Sequence, residues 1–151
     1  MPVFEEEFEI RAPIDTVWGF LLDPARLAPC IPGCDELRVE DEHTWRLRLT
    51  VKVGFLSTTQ EVKLTITEAN PPRHLVSVGR GEDKKLGGRT EVKTTLDLAP
   101  VEPDRTRVRY RSEARVLGAL GSVGDAVMRV KAGQMAAEFA ARVRTAVEES
   151  P

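Results

Sequence analysis

Residues 90–116 read TEVKTTLDLAPVEPDRTRVRYRSEARV, and their side chains alternate between two characters almost without a break. Thr90, Val92, Thr94, Leu96 and Leu98 fall on one side, with Glu91, Lys93, Thr95 and Asp97 on the other. After a turn at Glu102-Pro103-Asp104, the residues Thr106, Val108, Tyr110, Ser112, Ala114 and Val116 alternate with Arg105, Arg107, Arg109, Arg111 and Arg115. A period of two marks strands with one buried face, and a tight turn between two such runs makes an antiparallel hairpin. From about Gly118 to Glu148 the period becomes helical. A helix of about 30 residues is roughly 45 Å long, comparable with the diameter of a domain of this size. It can only lie across one face of a curved sheet.

The same alternation extends toward the N-terminus. Trp45, Leu47, Leu49, Val51 and Val53 form one run and Val62, Leu64 and Ile66 another, closed by Asn70-Pro71-Pro72. A third stretch, His74 to Gly79, leads into a polar, glycine-rich turn at 79–89. Residues 2–11 alternate as well, with Phe4, Phe8 and Ile10 on one side. Pro13 then suits a first helical turn, and Ile14, Val17, Trp18, Leu21 and Leu22 recur at helical spacing up to Asp23-Pro24. The segment from Asp23 to Cys34, DPARLAPCIPGC, holds three prolines and a glycine, so it predicts a short broken helix ending in a rigid turn. The order is strand, two short helices, about six strands, long helix. The expected class is α+β, with a curved antiparallel sheet of about seven strands around the C-terminal helix, in one domain spanning residues 1–151.

Composition narrows the function. A formal net charge of −2 gives no reason to expect nucleic acid. No apolar run approaches the ~20 residues that span a bilayer, and the acidic N-terminus is unlike a signal peptide. These features point to a cytoplasmic location. The row Arg105, Arg107, Arg109 and Arg111 faces Glu5, Glu7 and Glu9 if the last and first strands are antiparallel neighbours, so it reads first as a salt-bridged outer face.

On the long helix, Leu117, Gly121, Gly124, Met128, Ala132, Met135, Phe139 and Ala146 share a narrow stripe. Its C-terminal half offers ordinary core residues, and its N-terminal half offers glycines and methionines. Either the helix begins later, near Ser122, or packs closely on the sheet, or missing side chains leave an apolar void lined by adaptable methionines. The inward row Leu49, Val51, Leu64, Val78, Val92 and Tyr110 is mostly mid-sized and favours the void. The expected cavity lining is Leu27, Ile31, Leu49, Val51, Leu64, Val78, Val92, Tyr110, Gly121, Gly124, Met128 and Met135, with access near Leu27, Ile31 and the turn at 79–89.

Catalytic chemistry is thin. Cys30 and Cys34 are spaced by three residues, not the two usual in zinc or redox pairs, and read as half-buried thiols under the turn. His43 and His74 have no ligand-like neighbours in sequence. No aspartate or glutamate is expected on the inner rows of the later strands, so no general base is evident and neither a catalytic nor a metal residue is assigned.

The order of elements, together with APIDTVWGFLLDPARLAPCIPGC near the start, resembles the START/Bet v 1-like (SRPBCC) superfamily. Within it the chain is similar, from about Phe8 to Val147, to the CoxG family, which takes its name from a carbon monoxide dehydrogenase component. The specific marks are the CIPGC segment at Cys30–Cys34 and the ending from Gly118 through Met135 to Phe139. The resemblance implies a helix-grip fold with an apolar tunnel. It also implies a non-catalytic role beside a carbon monoxide dehydrogenase-type molybdenum hydroxylase, in membrane recruitment or as carrier of a lipophilic quinone. Many relatives continue past the last helix into a membrane-associated tail. This sequence ends at Pro151, and its 79–89 turn is more charged, so transient contact with the inner face of the membrane is expected in place of stable attachment. The expected ligand is an isoprenoid quinone or similar lipid, with no covalent cofactor. Two rivals remain: a polyketide cyclase-like enzyme, which would need titratable groups converging in the cavity, and a ligand-free assembly factor, which would show a filled core and an exposed apolar patch.

Overall fold

The alternating runs pair into one sheet. A computed structural model describes residues 3–85, 87–118 and 123–149. Its elements are β1 (Val3–Ile10), α1 (Ile14–Leu21), α2 (Pro24–Leu27), a 3-10 turn (Ala28–Cys30), β2 (Cys34–Asp41), β3 (Thr44–Val53), β4 (Leu56–Asn70), β5 (His74–Asp83), β6 (Gly88–Glu102), β7 (Arg105–Leu117) and α3 (Asp125–Glu149). The seven strands run antiparallel in the order β1-β7-β6-β5-β4-β3-β2. This is the helix-grip arrangement, with α3 against the concave face.

Local chemistry sets the boundaries. Asp23 accepts a hydrogen bond from the Arg26 N–H at 3.4 Å and caps α2, whose first residue is Pro24. Gly33, at φ +78°, makes the turn that ends the proline-rich segment, and a Cβ there would drive into the Thr50 carbonyl. Cys30 and Cys34 are free thiols. β2 carries little alternation in its sequence, CDELRVED, because it is an edge strand with most of its residues exposed.

The outer face pairs as its charges predict. Glu5 is registered with Arg111, Glu7 with Arg109 and Glu9 with Arg107, and ion pairs at 3.2–3.9 Å link the two rows. Such exposed pairs contribute little each, about 0–1 kcal/mol, but they oppose slippage of β1 along β7.

The helix departs from the expectation at its start. It begins at Asp125, not near Gly118, and its 25 residues span about 37 Å. Gly118 (φ +88°) closes β7, and Gly124 (φ +102°) accepts the Met128 N–H at 3.1 Å as the helix opens. Both stand outside the helix, where their positive φ values are the reason for glycine. The two ends of α3 then serve different purposes. Ala140, Val143 and Val147 are buried in the core with Phe8, Ile10, Val17 and Phe20. At the C-terminus the Glu148 carboxylate accepts the Arg11 N–H at 2.8 Å, which holds its pKa below the usual range.

Candidate functional site

Over the N-terminal half of α3, the sheet does not fill itself. A cavity of ≈ 360 Å3 lies between α3, the concave sheet face and the segment around α2. Its α3 wall is Met128, Lys131, Ala132, Met135, Ala136 and Phe139, and its floor comes from β3 to β7. The cause of the hollow is visible on β5. Leu75 points inward, but the next inward positions are Ser77, Gly79 and Gly81. Three consecutive small residues on a concave face leave no side chain to meet the helix.

The structure places Leu27, Ile31, Leu49, Val51, Leu64, Val92, Tyr110, Met128 and Met135 in the cavity wall. Two other expected residues are not there. Val78 pairs with Thr65 and Lys93, both on the outer face, so its side chain points away from the cavity. Its apolar character is misleading; the inward parity of β5 follows from Leu75 opposite the inward Leu96. Gly124 is exposed ahead of α3 and does not line the cavity. A further expected residue, Gly121, lies outside the described residues. The expected turn at 79–89 is also shorter than its sequence suggests, because β5 continues to Asp83 and β6 begins at Gly88.

Residues not expected from the sequence complete the site. Trp45, 6% exposed, stands in the wall. The Tyr110 ring packs on Phe139 with centroids 5.7 Å apart. Burial pushes the Tyr110 phenol pKa up, against the opposing pull of its hydrogen bonds with Ser112 and Thr94. A buried carboxylate, Asp83, falls on the inner row of β5, contrary to the expectation that those rows hold none. It does not line the cavity: its Oδ2 accepts from Thr58 Oγ1 at 2.7 Å and Thr59 N at 3.1 Å, and its Oδ1 from Lys85 N at 2.9 Å. Thr58 and Gln60, both buried, do line it. Alternation alone could have found them, since 58 and 60 share the parity of Val62 and Leu64.

Among the described residues the lining holds no aspartate, glutamate or histidine, and its ionisable groups are Lys131 and Tyr110. No group of three or more metal-ligating side chains occurs among the described residues. His74 is on the far surface, its ring nitrogens 2.6 Å from Asp97 and 3.3 Å from Glu68; these carboxylates raise its pKa, Asp97 most. Burial raises both thiol pKa values, so Cys30 and Cys34 are poor nucleophiles under the α2 shoulder.

Residues 7–148 match the sequence profile of the carbon monoxide dehydrogenase component CoxG. The chain belongs to the CoxG family. A search of curated protein sequences gave no match. Among solved structures, this CoxG-family fold is similar to a conserved protein from Geobacillus kaustophilus, with TM-score 0.89 and 22% identity over 99% of this chain and 97% of that one. It is also similar to a START superfamily protein from Mycobacterium smegmatis, with TM-score 0.76 and 13% identity over 99% of each chain. An aromatase/cyclase, Zhui, from a Streptomyces species aligns with TM-score 0.65 and 18% identity over 98% of this chain and 92% of the other. At these identities the likeness is one of fold. No helix among the described residues is long and apolar enough to cross a membrane.

Proposed function

We propose that this CoxG-family protein is a non-catalytic carrier that holds an isoprenoid quinone or similar lipid between α3 and the sheet, in the service of a carbon monoxide dehydrogenase-type molybdenum hydroxylase. The observation that carries the reading is the cavity itself. Its ≈ 360 Å3 falls within the ~300–1,000 Å3 of small-molecule sites, and its wall is apolar apart from a few hydroxyls, one amide and one amine. An apolar ligand gains about 25 cal/mol for each Å2 of surface it buries there, so a few hundred Å2 give useful affinity. A cyclase on the same fold would need an acid or base at the reacting carbon, and the lining supplies no carboxylate or imidazole among the described residues. A ligand-free assembly factor would have no use for a hollow interior.

Such a ligand resides in membranes, and the carrier would collect it there. The hairpin end of the sheet suits that contact: Phe55 is 85% exposed at the β3–β4 turn, and Leu117, Val127 and Val130 are exposed at the same end. Lys52, Lys84 and Lys85 stand exposed around them, which favours an anionic lipid surface.

The direct test is lipid extraction and native mass spectrometry of the purified protein, before and after incubation with a short-chain quinone. A one-to-one complex with a lipophilic molecule is expected. A protein that neither co-purifies with such a molecule nor takes up the added quinone would sink the proposal.

A further inference from the structure

One end of the cavity is polar in a way that the carrier reading does not require. Gln60 is 6% exposed and lines the cavity, yet its Oε1 has no hydrogen-bond partner, and neither has the buried Thr90 Oγ1. Buried polar atoms are ordinarily satisfied, so two unsatisfied ones in a cavity wall ask for a partner from the ligand. The orientation of the amide follows from its neighbours. Thr58 commits its only proton to the Asp83 carboxylate, 2.7 Å away, and can therefore only accept from Gln60. The Gln60 Nε2 donates to it at 2.8 Å, which turns Oε1 away as a free acceptor. That oxygen lies over Gly81, where an added Cβ would come within 2.8 Å of it. Thr90 is the cross-strand partner of Gly81, so the two unsatisfied oxygens flank one bare stretch of sheet.

We propose that Gln60 and Thr90, on either side of Gly81, form a head-group subsite that selects ligands bearing a hydroxyl. A ligand O–H can donate to Gln60 Oε1 and accept from Thr90 Oγ1 at once. A ketone or ether oxygen can only accept, which satisfies Thr90 and leaves Gln60 buried without a donor. The subsite therefore favours an alcohol, phenol or hydroquinone over the matching ether or quinone. The Asp83–Thr58 relay acts by positioning, since it prevents the amide from flipping to present its NH2.

This inference rests on the carrier reading, and the experiment separates the two. Displacement of the fluorescent probe anilinonaphthalene sulfonate is measured with para-decylphenol and with its methyl ether, para-decylanisole. Wild type is expected to bind the phenol about tenfold more tightly, the worth of one good hydrogen bond. Gln60→Met, close in length but with no acceptor, should erase the preference while binding the anisole as wild type does, which also reports that it is folded. Thr58→Val, which frees the amide to rotate, should reduce the preference with anisole binding unchanged. Equal affinities in wild type, or a preference that survives in Gln60→Met, would overturn the subsite and leave the carrier standing. Failure of both compounds to bind wild type would overturn both.

Discussion

Replacing Ala132 with phenylalanine should separate binding from stability. Ala132 faces the cavity from the middle of its α3 wall, with Met128 one turn before it and Ala136 one turn after. An aromatic ring there can bury roughly 150 Å2, and at 25 cal/mol per Å2 that is about 4 kcal/mol of apolar burial taken from the ligand. The figure is an upper bound because a flexible ligand shifts, but a loss of at least tenfold in affinity is expected. Stability should move the other way. The same burial, less about 0.5 kcal/mol of helix propensity and about 1–3 kcal/mol of repacking strain, leaves the variant equal to or more stable than wild type. Each kcal/mol corresponds to about 2–4 °C in Tm for a chain of this size. Trp45 provides the assay, because its indole lines the cavity and a short-chain quinone bound there would quench it. Ala137→Phe, on the exposed face of the same turn, is the control. Unchanged quinone affinity in Ala132→Phe would show that the ligand binds elsewhere. A fall in both affinity and Tm would show that the space around Ala132 is filled core, and the cavity argument would be wrong.

Membrane contact through the hairpin end predicts that Phe55→Ser weakens sedimentation with vesicles of phosphatidylcholine and phosphatidylglycerol at least severalfold, without altering Tm; equal sedimentation would exclude Phe55 from the contact. His74 gives a pH dependence. Its pKa is raised above the ordinary 6.5, chiefly by Asp97, so its contribution to stability is fully present below that value and is lost as pH rises through the higher folded pKa. The urea midpoint of wild type should therefore decline between about pH 6.5 and 8, by less than ~1 kcal/mol for so exposed a cluster, and His74→Gln should flatten that decline. An identical profile in the variant would assign the dependence to other groups.

Much of the architecture is legible in the chain because alternation is a local property. The hairpin of β6 and β7 and the facing rows of Glu and Arg follow from side-chain parity and register. The proline-rich shoulder is equally plain, since Pro and Gly act on their own backbone. β2 leaves no such mark, because an exposed edge strand needs no apolar face. The start of α3 is displaced in a reading by period, since the glycines ahead of it share the helical stripe by spacing alone. Val78 looks inward because it is apolar, whereas its register with Thr65 and Lys93 turns it out and leaves Ser77, Gly79 and Gly81 to face the helix.

The amino-acid sequence by itself determined the order of elements, the family, and a helix with a core half and a methionine half. These depend on periods and on neighbours a few residues apart. Only the tertiary structure decided where the hollow lies and that it has a polar end. A cavity is made by side chains that are absent from facing elements, and the Asp83–Thr58–Gln60 relay joins strands 25 residues apart. Neither leaves a local pattern, because both arise from which residues the register brings opposite one another.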